Sequence, residues 1–194
     1  MIRSARRLEK IRRVLARRQP GLTVVLENIH DPHNVSAVLR TCDAVGVLQA
    51  ELLYTVERFP RIGKKSSSSA NKWIERRKHT SVESCVGLLK SEGFTVLATR
   101  CGGNARPLYE VDLTLRTAFV LGNEHRGVSE EALSAADAQV EIPMMGMIES
   151  LNVSVAAAVC LYEALRQRLA AGMLAAPQLA EEDLRSLEEA WIER

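Results

Sequence analysis

Polar side chains that could act on a ligand follow three of the predicted strands, at the points where those strands end. They are Asn34 and Arg40 after the first strand, Asn123 and Glu124 after Gly122 at the end of a middle strand, and Ser150 and Asn152 after the last. The carboxyl ends of parallel strands meet at one edge of an open α/β sheet, and ligands bind there. The sequence therefore predicts that these residues converge on one site.

Each of these residues also has a structural interpretation. Asn34 and Asn152 suit helix N-termini, where short polar side chains accept hydrogen bonds from N–H groups that lack partners inside the helix. Glu124 could be a surface carboxylate, and Arg40 could belong to a surface ion pair. Residue types and spacing alone leave both interpretations open.

The usual phosphate-binding fingerprints of nucleotide enzymes are missing from the sequence. No Gly-x-Gly-x-x-Gly pattern opens a helix, and the Gly63-Lys-Lys-Ser segment lacks the first glycine of a P-loop, because Arg58 stands there. These absences exclude ordinary dehydrogenase, Rossmann methyltransferase and NTPase sites. The four cysteines are widely separated and lack metal-ligand spacing, so they indicate reduced thiols and no metal site.

The elements that position the polar residues alternate along the chain. Strands are predicted at 23–29, 47–56, 94–99, 118–121 and 139–142. Helices are predicted at 35–45 and 81–89, after the cap residue Ser129, and over a long segment opened by Ser150 and Asn152. This alternation predicts an α/β fold with a mostly parallel sheet and helices on both faces, flanked by N- and C-terminal helices.

The net charge of +2 conceals two strongly basic segments. Residues 1–18 carry eight Lys or Arg and one Glu, a net charge of +7, and residues 58–78 carry the same net charge. The remainder of the chain is acidic overall. Two basic segments on an acidic body predict a surface that binds a polyanion. In the first segment, Leu8, Ile11, Val14 and Leu15 share one face of a predicted helix.

Length and composition fit one globular domain with terminal extensions. We assign a basic helical arm to residues 1–20, the main domain to 21–172 and a helical extension to 173–194. The longest unbroken apolar run, 155–162, is far shorter than the about 20 residues that cross a bilayer. We therefore expect a cytoplasmic protein. An organellar transit peptide is the alternative interpretation of the arginine-rich start.

Three segments resemble, in order, the motifs of the SpoU/TrmH branch of the SPOUT RNA methyltransferases. They are NVSAVLRTCDAVG at 34–46, LGNEHRGVS at 121–129 and IPMMGMIESLNVSVA at 142–156. The resemblance spans about residues 20–172. Within that branch, the arginine-rich start and the LRQR segment at 165–168 are similar to the tRNA guanosine-18 2′-O-methyltransferases.

The resemblance implies a homodimer with a C-terminal deep trefoil knot that holds S-adenosylmethionine, and it implies no metal. The residues implied to line the cofactor pocket are Thr99, Gly122, Ile142 and Leu151. Those implied to build the reacting site are Asn34, Arg40, Glu124, Ser150 and Asn152. The basic residues expected to contact tRNA are Arg6, Arg7, Lys10, Arg12, Arg13, Arg17, Arg18, Lys64, Lys65, Arg166 and Arg168.

The implied reaction is methyl transfer from a sulfonium to a ribose 2′-hydroxyl, with guanosine-18 of tRNA as the expected target. Arg40 is expected to bind the substrate phosphate and stabilise the developing alkoxide, because a free arginine stays protonated at ordinary pH. The alternatives are methylation of ribosomal RNA or another tRNA position, and an inactive RNA-binding module. The presence of Asn34, Arg40, Glu124 and Asn152 together disfavours the inactive module.

Small residues carry two further expectations. Gly122 and Gly146 are expected to let the backbone approach a ligand closely. On the long helix, Ala156, Ala157 and Val159 are expected to form a small-residue face against which a partner helix packs in the dimer.

Overall fold

Seven parallel strands form one sheet in the part of the chain that the computed structural model describes, residues 5–60 and 72–194. The strands are β1 (Leu22–Glu27), β2 (Gln49–Leu53), β3 (Glu75–His79), β4 (Thr95–Thr99), β5 (Arg106–Pro107), β6 (Thr117–Leu121) and β7 (Ala138–Glu141). Their spatial order is β3-β2-β1-β6-β4-β7-β5. The central strands β1, β6 and β4 therefore bring their carboxyl ends together at one edge.

Helices cover both faces of this sheet, as predicted. They are α1 (Ala5–Leu15), α2 (Pro32–Val45), α3 (Val82–Ser91), α4 (Glu130–Ala135), α5 (Val153–Ala170) and α6 (Glu181–Glu193). Helices α2 and α5 pack together on one face, and α3 and α4 pack on the other. No helix within the described residues is long and apolar enough to cross a membrane.

Several predicted helix ends are confirmed at their cap residues. Helix α2 ends at Gly46, whose φ is 89°, and a Cβ there would lie 2.5 Å from the carbonyl oxygen of Arg17. Ser129 and Asn152 are the N-caps of α4 and α5, and each side chain accepts a hydrogen bond from a backbone N–H of the first turn. The prediction that Ser150 also opens α5 is wrong, because Ser150 lies exposed before the cap.

Two strands were not predicted from the sequence, and both lie at the edges of the sheet. Strand β5 has only two residues, and β3 contains no apolar residue. On β3, Arg77 and His79 bind the fully buried Glu51 of β2 instead. Arg77 Nη2 lies 2.9 Å from Glu51 Oε1, and His79 Nε2 lies 2.7 Å from Glu51 Oε2. Because charged pairs replace apolar packing, β3 lacks the pattern from which strands are predicted.

The surface of α5 differs from the predicted small-residue face. Ala157 is fully buried, whereas Ala156 and Val159 are half-buried and Val159 packs against the main core. The exposed apolar side chains are Val155, Tyr162 and Leu169, which are 47%, 52% and 57% exposed. Their spacing of seven residues places them on one stripe of the helix, which we call the α5 stripe.

The two terminal helices form a small core of their own. Ile11 and Leu15 of α1 are buried against Trp191 of α6, and Trp73 packs on the same indole with ring centroids 5.0 Å apart. The predicted apolar face of the arm therefore docks onto the C-terminal helix. The basic side chains of α1 lie on the exposed faces of the helix.

Two arginines expected to contact tRNA are buried, so that expectation is wrong for them. Arg18 and Arg168 are each 1% exposed. Arg18 forms an ion pair with Asp43 at 2.5 Å and lies over the Trp191 ring. Arg168 donates hydrogen bonds to the carbonyl oxygens of Leu113, Gly21 and Leu115. Both guanidinium groups satisfy internal acceptors, which leaves them unavailable to RNA.

We predict that Arg168→Met lowers the free energy of unfolding by about 3 kcal/mol, because buried carbonyl groups lose charge-assisted donors. Arg185→Met, at an exposed position of α6, should change it by less than about 0.5 kcal/mol. Urea unfolding at one fixed protein concentration measures both. Equal stability of the two variants would contradict a structural role for Arg168.

Candidate active site

A cleft of about 660 Å³ opens at the carboxyl ends of β4, β6 and β7. Met144 and residues 149–152 form part of its wall. All four residues expected to hold the cofactor line this one cleft: Thr99, Gly122, Ile142 and Leu151. Residues separated by more than 50 positions in sequence thus meet in space because their strands are neighbours in a parallel sheet.

Three of the residues expected in the reacting site form a continuous chain of hydrogen bonds beside the cleft. Asn34 Nδ2 donates to Glu124 Oε1 at 2.8 Å, and Asn152 Nδ2 donates to Asn34 Oδ1 at 3.2 Å. An ionised carboxylate only accepts hydrogen bonds, so Glu124 determines which way the Asn34 amide faces. Asn34 in turn fixes the amide of Asn152. The Glu124 carboxylate therefore fixes the orientation of the Asn34 amide directly and that of the Asn152 amide through Asn34.

The Glu124 carboxylate also ties the loop after β6 to the start of α2. Its oxygens accept from the backbone N–H of His30 at 2.9 Å and of Asp31 at 3.1 Å, in addition to Asn34. Burial acts to raise the pKa of Glu124, but these three hydrogen bonds outweigh it and hold that pKa below its usual value. The carboxylate is therefore ionised at neutral pH and well below it.

Arg40 and Ser150 stand apart from this hydrogen-bond chain. Ser150 is exposed and lines the cleft beside Leu151. Arg40 is exposed on α2, and it is not among the residues that line the cleft. Within the described part of one chain, the predicted group therefore assembles in part: Asn34, Glu124, Ser150 and Asn152 lie at or beside the cleft, and Arg40 does not line it.

The two glycines expected to admit a ligand have different surroundings. A Cβ on Gly122 would lie 2.1 Å from the backbone of Gly127 and Val128, so glycine is required there by the tight loop of this chain. Nothing lies within 4 Å of a Cβ built on Gly146. Gly122 also lines the cleft, so the expected close approach of a ligand to its backbone stays a prediction.

The cleft fits a nucleoside cofactor of the size of S-adenosylmethionine. Its volume falls in the range of small-molecule pockets, which combine apolar walls with a few polar groups. Leu121, Val140, Ile142 and Leu151 supply apolar walls, and the strand ends supply backbone N–H and C=O groups. The apolar wall can pack against the face of a planar base, and the backbone groups can form hydrogen bonds with the polar edge of that base.

One ion pair at the rim of the cleft is missing from the sequence-based assignment. Arg126 lines the cleft, and its Nη2 lies 2.9 Å from Glu57 Oε1. Glu57 Oε2 also lies 3.5 Å from His30 Nδ1. Hydrogen bonds from Arg126 hold the pKa of Glu57 below its usual value. Arg126 lies inside the second motif, but no spacing rule connects that motif to Glu57.

The remaining basic residues expected to contact tRNA differ in their surroundings. Those exposed on the arm are Arg6, Arg7, Lys10, Arg12, Arg13 and Arg17. Arg12 forms an ion pair with Glu188 of α6, and the exposed Arg166 forms one with Glu163. Lys64 and Lys65 lie outside the described residues.

In sequence, the chain is similar to known RNA methyltransferases. The model of the SpoU rRNA Methylase family matches residues 21–162 of the chain. A tRNA (guanosine(18)-2′-O)-methyltransferase of Thermus thermophilus is 49% identical over 192 residues, which cover 99% of this chain and 98% of that protein.

Solved structures extend the likeness to the whole fold. A TrmH/SpoU tRNA modifying enzyme of A. aeolicus is similar with a TM-score of 0.90 and 39% identity, over 96% of this chain and 94% of that one. The SpoU methyltransferase AviRb of Streptomyces viridochromogenes, solved with its cofactor AdoMet, gives a TM-score of 0.70 and 25% identity, over 81% and 61% of the two chains. With its motifs, sheet and cleft, this chain belongs to the SpoU rRNA methylase family.

Proposed function

We propose that this protein transfers a methyl group from S-adenosylmethionine to the ribose 2′-hydroxyl of guanosine-18 in tRNA. The observation that carries the proposal is the hydrogen-bonded chain of Glu124, Asn34 and Asn152 at the edge of the cleft. The Thermus thermophilus relative is a tRNA (guanosine(18)-2′-O)-methyltransferase and the A. aeolicus structure is a tRNA modifying enzyme, which supports tRNA as the substrate. The reaction requires alignment and activation of a weak nucleophile, and no metal.

The cofactor would be held by Thr99, Gly122, Ile142 and Leu151, through the strand ends and the apolar wall. When bound, it supplies an activated methyl group on a sulfonium. Ser150 and Asn152 stand on the same wall, where their polar atoms can orient the ribose. Asn34 and Glu124 hold Asn152 in place, because their hydrogen bonds leave its amide one orientation.

Arg40 is the proposed stabiliser of charge that develops on the ribose oxygen. Its guanidinium carries a permanent charge, so it is better suited to bind phosphate and an alkoxide than to accept a proton. Since Arg40 does not line the cleft of its own chain, we propose that it reaches the cleft of a second copy. The reacting site would then be completed only in a homodimer.

The α5 stripe is the proposed centre of that dimer. Val155, Tyr162 and Leu169 are about half exposed on one line, and a second copy could bury them. We also propose that the segment after β6 forms the deep trefoil knot of the SPOUT fold. Met144 and residues 149–152 line the same cleft as the ends of β4 and β6, which supports that path. We place the protein in the cytoplasm, where tRNA is modified.

The test of the proposed function is methylation of a tRNA transcript by the wild-type protein and S-adenosylmethionine. We expect one 2′-O-methyl group at guanosine-18, mapped by resistance of that linkage to alkaline hydrolysis. A transcript with adenosine at this position should remain unmodified. Methylation at another tRNA position, or only of ribosomal RNA, would contradict the proposed target.

The variant Arg40→Ala tests the proposed role of Arg40 in the same reaction. Loss of a group that stabilises developing charge should slow single-turnover methyl transfer about 100-fold or more, with little change in cofactor affinity. Calorimetry measures the affinity and a rapid-quench assay the rate. A wild-type rate in the variant would remove Arg40 from the reaction.

We predict that the arm contributes to tRNA binding through charge. Because deleting it would also remove Ile11 and Leu15 from the core, the test replaces only exposed cations, namely Arg6, Arg7, Lys10 and Arg13, by Gln. The slope of log affinity against log salt should become shallower by up to about 0.9 for each side chain that contacts a duplex phosphate. Arg185→Gln on α6 should leave the slope unchanged. An unaltered slope in the arm variant would exclude the arm from the RNA surface.

We predict that Tyr162→Glu converts the protein to a monomer and abolishes methyl transfer, because a carboxylate in the α5 stripe would be buried unpaired at the interface. Tyr109→Glu is the control, since Tyr109 is similarly exposed, at 56%, and is not part of α5. Sedimentation velocity gives the mass in solution. An active monomeric Tyr162→Glu protein would contradict both the dimer and the shared site.

A further inference from the structure

Two buried asparagines lie at the carboxyl ends of the neighbouring strands β1 and β6, and Asn123 is among the residues that line the cleft. Asn28 and Asn123 are each 6% exposed. The proposed reaction assigns no role to either residue. Their side chains and backbones nevertheless connect every loop that meets Glu124.

Asn28 fixes the turn after β2. Its φ of 50° lies in the left-handed region, which asparagine tolerates better than most residues. In that conformation its Oδ1 accepts three successive backbone N–H groups, those of Thr55 at 2.9 Å, Val56 at 3.0 Å and Glu57 at 3.1 Å. One side-chain oxygen thus holds the turn that carries Glu57 to the rim of the cleft.

Asn123 does the same for the loop after β6. Its Oδ1 accepts from the backbone N–H of His125 at 2.9 Å and of Arg126 at 3.2 Å. Its Nδ2 donates to the carbonyl oxygen of Asn28 at 2.8 Å, which joins the two loops directly. The backbone of Asn123 also pairs with that of Gly127 in both directions. The side-chain oxygen and the side-chain nitrogen of Asn123 therefore both have partners within the protein.

Glu124 follows Asn123 directly in the sequence, and its carboxylate bridges to the segment that begins two residues after Asn28. Its partners are His30, Asp31 and Asn34. The hydrogen bond that Asn123 donates to Asn28 and the hydrogen bonds that Glu124 accepts therefore close one small ring of contacts. Displacing either asparagine would shift the carboxylate relative to Asn34.

We propose that Asn28 and Asn123 are positioning residues for methyl transfer, acting by holding Glu124 at the distance that orients Asn34. The inference rests on the proposed function. It differs from a purely structural role because the effect on rate should pass through the Glu124 carboxylate.

The test uses Asn123→Ala and, because that variant could be unstable, Asn28→Gly, which retains access to positive φ. We expect single-turnover methyl transfer at saturating tRNA and cofactor to fall about 10- to 100-fold in each, as for a misplaced catalytic group. The KM for the cofactor should change less than about twofold. Melting temperatures establish that each assay is run on folded protein.

A double-mutant cycle separates positioning from general stabilisation. If Asn123 acts through Glu124, then Asn123→Ala combined with Glu124→Gln should be as slow as Glu124→Gln alone. If the two losses multiply, Asn123 acts by another route and the inference is overturned. The control is Thr55→Ala, which removes only the 3.0 Å contact of Asn28 Nδ2 and should keep the wild-type rate.

The two proposals fail in different ways. A wild-type protein that methylates no tRNA contradicts the proposed function. An active wild type, with folded Asn123→Ala and Asn28→Gly variants that keep the wild-type rate, contradicts only the positioning role.

Discussion

The site depends on one carboxylate held between two loops. Glu124 accepts hydrogen bonds from Asn34 and from the backbone of His30 and Asp31, and these bonds keep it ionised. An ionised acceptor gives the Asn34 amide one orientation, and that amide orients Asn152. Since Asn152 is also the N-cap of α5, the same bonds that arrange the site determine where the helix under the cleft begins.

Helix α5 connects the site to the rest of the domain by direct contacts. Its first turn borders the cleft, and its middle packs on α2. Near its C-terminus, Arg168 binds carbonyl oxygens of the loops before β1 and β6. A buried guanidinium is costly to place unless its donors are satisfied, and here they are. The helix is thus fixed at both ends by polar contacts and along its length by apolar packing.

In α1, the apolar residues pack against α6 and the basic residues are exposed to solvent. The apolar side chains of α1 pack on Trp191. Arg18 belongs to the docked part, because its guanidinium pairs with Asp43 and lies over the indole. The number of basic residues in the sequence is therefore larger than the number that can contact a polyanion. The exposed part of the arm is what the proposed tRNA contact depends on.

The sequence alone predicted the alternation of strands and helices and most helix ends, because apolar periodicity and cap residues act over a few neighbouring positions. It also predicted which residues line the cleft, by resemblance of three motifs. Tertiary structure decided the rest. Strand β3 depends on the distant Glu51, the burial of Arg18 and Arg168 depends on carbonyl and carboxylate partners elsewhere, and Gly122 is required by a loop that returns onto it. Charge and residue type are local properties, but whether a polar group faces solvent or a buried partner is decided only when distant segments meet.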